Sequence, residues 1–324
     1  MSHITRKLCL VFVALAFGGI GTANAADRYP VRPIRLVVGF GAGGPTDIPA
    51  RFVADKLGPV LGQSVVVENM PAAGGLLATR YVLGQPRDGY TLLLCTHFES
   101  MNSVLYKNPG YKLTDIAPIS LIAKYYYGLA VSNSIPAESF QQFLRYVKSH
   151  PEKVNYATVG TGSPTEILVR QMEKSAGITM TKIPFRSSPQ IYQELMAGRV
   201  HFFVSPTLTV IPTYQAKKIR IVAVTSPERL KDLPDVPTLT EQGGSFKPFG
   251  WLGVCAGAGT PQPAIDMLNR HIVSIVATPE YRDLIVKGGS IPVSSTLVEL
   301  EQVITQTVDS IAATVREFGM QREE

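Results

Sequence analysis

The sequence predicts an α/β fold, and three observations carry the prediction. Short β-branched runs alternate with segments whose apolar residues recur at helical spacing. The runs end in turns of glycine, serine and proline, which is how a strand hands over to a helix. The 324 residues are 45% hydrophobic, long enough for two domains and apolar enough for two cores. Strands alternating with helices imply mostly parallel sheets.

The elements follow in order. Residues 1–25 read as an export signal. Arg6 and Lys7 form a basic head, residues 8–20 are apolar, and Ala23-Asn24-Ala25 is a small-x-small cleavage site that leaves Ala26 first. The apolar run falls short of the ~20 residues of a spanning helix. Cys9 lies inside it, and no lipoprotein cysteine follows the cleavage site. Ile34-Arg35-Leu36-Val37-Val38 is the first strand. After a glycine loop, Ile48, Phe52, Val53, Leu57, Val60 and Leu61 mark a core-facing helix. Residues 64–68 and 90–95 are strands around a short helix at 76–83, and Phe140, Phe143, Leu144 and Val147 mark another helix.

In the second half, four strand-like runs end in Ser-Pro, at Ser163-Pro164, Ser188-Pro189, Ser205-Pro206 and Ser226-Pro227. Serine favours the N-cap, and proline suits the first helical turn. All four therefore read as helix starts at the carboxyl ends of strands, and Glu166 completes a capping box with Ser163. Open α/β sheets bind ligands at that edge, and helix N-termini attract anions.

Loss of residues 1–25 lowers the formal net charge from +6 to +4, with no block of like charge. That excludes a nucleic-acid binder, which needs a clustered basic patch. No later segment is long and apolar enough to insert in a membrane. Cys95 and Cys255 remain in the mature chain. An oxidising compartment permits a disulfide, but their distance is not readable from sequence, and two buried free thiols are the favoured reading. The histidines show no metal-ligand spacing, and no G-x-S-x-G or H-E-x-x-H motif occurs, so no metal and no catalytic residue is assigned.

The sharpest motif is Gly39-Phe40-Gly41-Ala42-Gly43-Gly44-Pro45-Thr46-Asp47. Gly39, Gly41 and Gly44 spell G-x-G-x-x-G between a strand and a helix, and Glu68 ends the next strand, as in a dinucleotide fingerprint. Export and the lack of a group for hydride chemistry weigh against that reading, and no cofactor is expected. In the simpler reading, the amides of Gly43 and Gly44 meet a carboxylate, with Thr46 or Asp47 capping the helix behind them.

Several motifs then occur in a fixed order. Tyr29-Pro30-Val31-Arg32-Pro33 precedes the first strand, and the glycine loop continues through Asp47 to Ala50-Arg51. Val67-Glu68-Asn69-Met70-Pro71-Ala72-Ala73-Gly74-Gly75 and Asp88-Gly89-Tyr90 follow. Gly160-Thr161-Gly162-Ser163, Thr225-Ser226 with Arg229, and Leu233-Pro234-Asp235-Val236-Pro237 with Glu241 complete the set. Together they resemble the tripartite tricarboxylate transporter receptors, the Bug family of periplasmic solute-binding proteins, over nearly the whole mature chain.

The resemblance implies a two-lobed, type II (Venus flytrap) α/β binding protein with a ligand cleft between the lobes. Residues 26–124 plus 227–324 would form lobe 1 and residues 125–226 lobe 2, with crossings near Lys124 and Ser226. It implies a carboxylate gripped by Phe40, Gly41, Ala42, Gly43 and Gly44 from one side and by Thr161, Gly162 and Ser163 from the other. Thr46 and Asp47, Thr96 and His97 after the third strand, and Ser187 and Ser205 at strand ends of the second lobe join these as candidate ligand-binding residues. The implied partners are a small carboxylate (a di- or tricarboxylate, an amino acid or an aromatic acid) and, transiently, membrane transporter subunits. The protein would be a monomer. A sensor kinase in place of the transporter is the alternative partner, and an exported dinucleotide-binding enzyme the more distant one. Arg186 and His201 depart from the family pattern, and either they suit a second carboxylate or they are surface variation.

Overall fold

A computed structural model describes residues 29–159, 164–244, 249–319 and 322. The proposed export signal and the Thr161-Gly162-Ser163 segment lie outside the described residues.

The first half opens with β1 (Ile34–Val38), α1 (Asp47–Leu61), β2 (Val65–Asn69), α2 (Leu76–Leu83), β3 (Thr91–Thr96) and α3 (His97–Leu105). The apolar stripe read from the sequence is the buried face of α1, where Ala50, Val53, Ala54 and Leu57 pack on the sheet. The helix stops at Gly62, which takes the left-handed conformation (φ 68°) that favours glycine. Two strands follow almost without a break, β4 (Ile116–Tyr125) and β5 (Tyr127–Ser132), and only Tyr126 separates them.

The second half continues with α4 (Phe140–Ser149), β6 (Asn155–Thr158), α5 (Pro164–Ala176), β7 (Thr181–Pro184), α6 (Ser188–Met196), β8 (Phe202–Pro206), α7 (Thr207–Gln215) and β9 (Ile219–Val224). The chain ends with β10 (Gly250–Gly257), α8 (Gln262–Val276), α9 (Pro279–Lys287), β11 (Ser290–Pro292) and α10 (Leu297–Phe318).

These strands form two sheets. One has the order β11-β4-β10-β3-β1-β2, the other β7-β6-β8-β5-β9. The chain leaves the first sheet through Tyr126 and returns after β9. At that junction the two passages are tied together, because the Tyr127 amide donates to the Thr225 hydroxyl (2.9 Å) and the Thr225 amide to the Tyr127 carbonyl (2.9 Å). Phe143 of α4 stacks on Phe202 of β8 (centroids 4.6 Å apart) in the core of the second sheet.

Three expectations need correction. The sheets are mixed and not mostly parallel: β1 pairs in parallel with β2 and β3, and β6 with β7 and β8, but β10, β4, β11, β5 and β9 pair antiparallel. The strands by which the chain passes between sheets run against their neighbours, and β-branched composition carries no direction. Cys95 and Cys255 are not free thiols. They form a disulfide between the adjacent strands β3 and β10, across a sequence separation of 160.

The Ser-Pro motifs are not four equivalent helix starts. Pro164 opens α5, and α6 begins at Ser188 with Ser187 as its N-cap. Ser205 and Pro206 instead finish β8, where Ser205 pairs with Gly128. Ser226 starts an irregular loop, and its hydroxyl donates to the Glu228 carbonyl (2.6 Å).

Candidate ligand cleft

The carboxyl end of β1 runs into the glycine loop, and a knot of polar contacts fixes its shape. Asp47 is only 1% exposed. Its carboxylate accepts from the Gly43 amide, Arg51 Nε and Asn69 Nδ2, each at 2.8 Å. Asn69 Nδ2 also donates to the Phe40 carbonyl (3.0 Å). Burial alone would raise the Asp47 carboxyl, but the bonds from Arg51, Gly43 and Asn69 outweigh it and hold the group below its usual range. The Gly44 amide turns inward as well, to the Gly41 carbonyl (3.3 Å). The amides of Gly43 and Gly44, which the sequence offers to a carboxylate, are therefore committed within the loop.

The opposite wall comes from the loop before α6. The two walls meet at Gly41, where a Cβ would lie 2.6 Å from Ser187 Cβ and 3.7 Å from the Arg186 carbonyl. The partly open space beside this contact has a volume of about 30 Å3, room for only one or two waters. Among the cleft-lining residues, Phe40 and Phe98 pack at 4.8 Å between centroids, and Tyr125 and Tyr127 at 5.6 Å. Burial pushes both phenols up, so they face the cleft as neutral rings. Phe203 and Val159 close the apolar side, while Thr165, Ser187 and Ser188 supply hydroxyls near the first turns of α5 and α6.

Two polar groups stand out. Thr46 lines the cleft and is 4% exposed, yet its Oγ1 has no hydrogen-bond partner among the described residues. A buried hydroxyl left unpaired costs about 1–3 kcal/mol, so an acceptor or donor brought in by a ligand or water would relieve it. Arg186 also lines the cleft and makes no ion pair among the described residues. Other nearby cations are matched: Arg51 by Asp47 (2.8 Å), and Arg170 (2.6 Å) and Lys182 (3.0 Å) by the buried Glu166.

The structure thus brings together Phe40, Gly41, Gly44, Thr46 and Ser187 of the sequence candidates. Ala42 and Gly43 belong to the loop but do not line the cleft, and Asp47 braces it from behind. Thr96 is spent as the cap of α3: its hydroxyl accepts from the Phe98 amide (3.0 Å) and donates to Glu99 (3.1 Å). His97 is buried against Phe98 (4.7 Å), with Nε2 3.2 Å from the Tyr127 hydroxyl, so it backs the wall without facing the space. Burial drives its imidazole down to about 4, and only the nearby Trp251 carbonyl opposes this. Ser205 is fully buried, with its hydroxyl on the Tyr192 hydroxyl. His201, at the far end of β8 from the cleft, meets the Asn155 amide through Nδ1 (3.2 Å).

Sequence reasoning missed Phe98, Phe203, Thr165 and Ser188 as cleft residues. The Tyr125-Tyr126-Tyr127 run was visible, but which rings face inward depends on the sheet junction. Among the described residues no group of three or more His, Cys, Asp or Glu is placed to hold a metal ion, and no helix is long and apolar enough to cross a membrane.

Two α/β sheets joined by adjacent strands, with a cleft lined by loops at strand ends, are the architecture of a solute-binding protein. Residues 49–320 match the model of the tripartite tricarboxylate transporter family receptor, and the chain belongs to that family. It is 30% identical over 321 residues to protein BugT of Bordetella pertussis, covering 98% of each chain. The solved periplasmic binding protein BugD superposes with a TM-score of 0.88 at 30% identity, covering 91% of this chain and 100% of that one. An R. palustris protein solved with adipate superposes with a TM-score of 0.87 at 27% identity, covering 90% of this chain and 99% of that one.

Proposed function

We propose that this protein is a periplasmic receptor that captures a small carboxylate in the cleft and presents it to the membrane subunits of a tripartite transporter. The observation that carries the reading is the pairing, on opposite walls of one cleft, of a buried Thr46 hydroxyl and an Arg186 guanidinium that have no hydrogen-bond and no ion-pair partner, respectively, among the described residues. Helix starts on the second wall add partial positive charge. In this reading residues 26–124 and 227–324 form one lobe and residues 125–226 the other. Closure rotates the second lobe about Tyr126 and the segment after β9 until Ser187 meets Gly41. At the present loop separation the cleft holds only about 30 Å3, so ligand entry requires the loops to part. Adipate in a family member supports the carboxylate class.

The test is a thermal-shift screen of carboxylates on the mature protein. A binder present at a hundredfold excess over its Kd stabilises by about 2.7 kcal/mol. No shift with any mono-, di- or tricarboxylate refutes the reading. The periplasmic location follows if the secreted protein begins at Ala26 by mass spectrometry; an intact Met1 in a cytosolic fraction refutes it.

A further inference from the structure

We propose that Gly250, which is not among the residues lining the cleft, sets the length of acid the cleft accepts by letting the Tyr125 ring lie against β10. The proposal rests on the carboxylate reading above.

Gly250 opens β10 and pairs with Tyr125 of β4 across an antiparallel ladder. Paired residues on adjacent strands project to the same face of a sheet, so Tyr125 and any side chain at position 250 compete for one space. The ring occupies it. A Cβ on Gly250 would lie 2.2 Å from Tyr125 Cζ, 2.4 Å from Cε2 and 2.6 Å from the hydroxyl oxygen. Gly250 has no positive φ, so the backbone does not call for glycine here. The requirement is one of space, and the side chain that needs the space belongs to the cleft, because Tyr125 lines it.

The ring is hemmed in on its other sides. His97 meets it at 5.9 Å between centroids and Tyr127 at 5.6 Å, both edge-on and both buried. The Tyr127 hydroxyl is itself fixed 3.2 Å from His97 Nε2. Overpacking displaces the side chain that can move, and the open side of Tyr125 is the cleft. Bringing the 2.2 Å contact out to an ordinary 3.4 Å moves the ring by about 1 Å. Tyr125 and Tyr127 flank the one-residue joint at Tyr126, so this is the floor of the cleft, while Gly41 and Ser187 meet at its mouth. A raised floor shortens the space below a carboxylate held at the rim. Gly250 is therefore a positioning residue: it acts on the ligand through Tyr125.

The experiment is titration calorimetry of the mature protein with two straight-chain series, butyrate, hexanoate and octanoate, and succinate, adipate and suberate. An acid that does not bind is entered at the detection limit. In Gly250→Ala the longest acid that binds the wild type should weaken at least tenfold relative to the shortest of its series. Tyr125→Leu lowers the floor and should shift the same ratio at least threefold towards longer acids. In the double variant Gly250→Ala should add less than twofold, because the ring it displaces is gone. Equal weakening of all acids in Gly250→Ala, an unchanged ratio, or the full shift in the Tyr125→Leu background overturns the inference and leaves the carboxylate receptor standing. Where Gly250→Ala does not fold by circular dichroism, or only the shortest acid binds the wild type, Tyr125→Leu alone decides, and an unchanged ratio overturns the inference. If none of the six acids binds the folded wild type, the inference falls, and the carboxylate reading falls with it when the thermal-shift screen is also blank.

Discussion

Gly41→Ala should weaken ligand binding without unfolding the protein. A Cβ at position 41 would sit 2.6 Å from Ser187 Cβ, where ordinary contacts run 3.4–4 Å, so the two loops would have to part by about 1 Å. Gly41 does not have a positive φ, so alanine is not strained at this position in the separated loops. The penalty therefore falls on the closed form alone. Overpacking of this kind costs about 1–3 kcal/mol. If closure is required for tight binding, the apparent Kd rises about fivefold to about 150-fold. Gly43→Ala is the control. Gly43 has φ +72°, and the nearest atom to an added Cβ is Pro189 Cγ at 3.9 Å. Alanine there meets backbone strain of about 1–2 kcal/mol, which lowers overall stability, but its contact with the opposite wall is an ordinary one with no clash. Titration calorimetry with any carboxylate that stabilises the wild type, together with melting curves of the unliganded variants, separates the two. If Gly41→Ala binds within twofold of the wild type, the Gly41–Ser187 contact is no part of the bound state and the closure argument fails.

Three further outcomes follow from the same structure. The buried His97 titrates near 4 when folded against 6.5 for a free imidazole, so stability is lost as pH falls from 6.5 towards 4; Glu99, raised by burial to about 7 from 4.5, loses stability as pH rises over 4.5–7. Each effect is about 3 kcal/mol and they oppose one another, so the wild type should be nearly flat between pH 4.5 and 6.5. Folded His97→Gln should instead melt progressively lower as pH rises through that window, and a flat profile would refute the assignment. Replacing Cys95 and Cys255 together by alanine removes a crosslink spanning 160 residues, a loss of up to roughly 5 kcal/mol that denaturant titration would read. Ile167 of α5 packs with Met101 and Leu105 of α3 and with Ile311 and Val315 of α10, a contact between helices of the two sheets. Ile167→Ala should therefore weaken binding at least fivefold while shifting the melt of the unliganded protein little, and the reverse pattern would place Ile167 in a permanent core.

The strands and helices were legible because their signals are local. Ile34–Val38 and the stripe from Val53 to Leu57 announce themselves by composition and period. The departures come where partners decide. Ser-Pro opens α6, but at Ser205 the ladder with Gly128 continues the strand through the same dipeptide. Strand direction was misjudged because β-branched runs look alike in parallel and antiparallel pairs. The disulfide was unreadable because it depends on β3 and β10 lying side by side, which no spacing of 160 residues encodes. In the cleft, the glycine loop was located correctly, but its amides were assigned outward when Asp47 draws one of them inward. Tyr125 and Tyr127 became a wall only through the one-residue joint at Tyr126.

The glycine loop also explains why a pattern that spells a dinucleotide fingerprint has another use here. In that fingerprint the glycines free outward-pointing amides for a pyrophosphate and let the helix start come close to it. Each glycine in this loop answers a different local need. Gly39 is small because a Cβ would lie 2.7 Å from Gly75 Cα in the neighbouring turn. Gly41 is small because the opposite wall reaches it, and Gly43 takes the positive φ that aims its amide at Asp47. A pyrophosphate would have to take the Gly43 amide from that carboxylate and then sit beside its negative charge. Glu68, the acid that would hold a ribose, lies 3.7 Å from Arg35 on the neighbouring strand. The same sequence pattern therefore builds a rigid rim for a cleft, and among the described residues the Thr46 hydroxyl on this rim and Arg186, Ser187 and Ser188 at the α6 start on the other are donors placed to meet an anion.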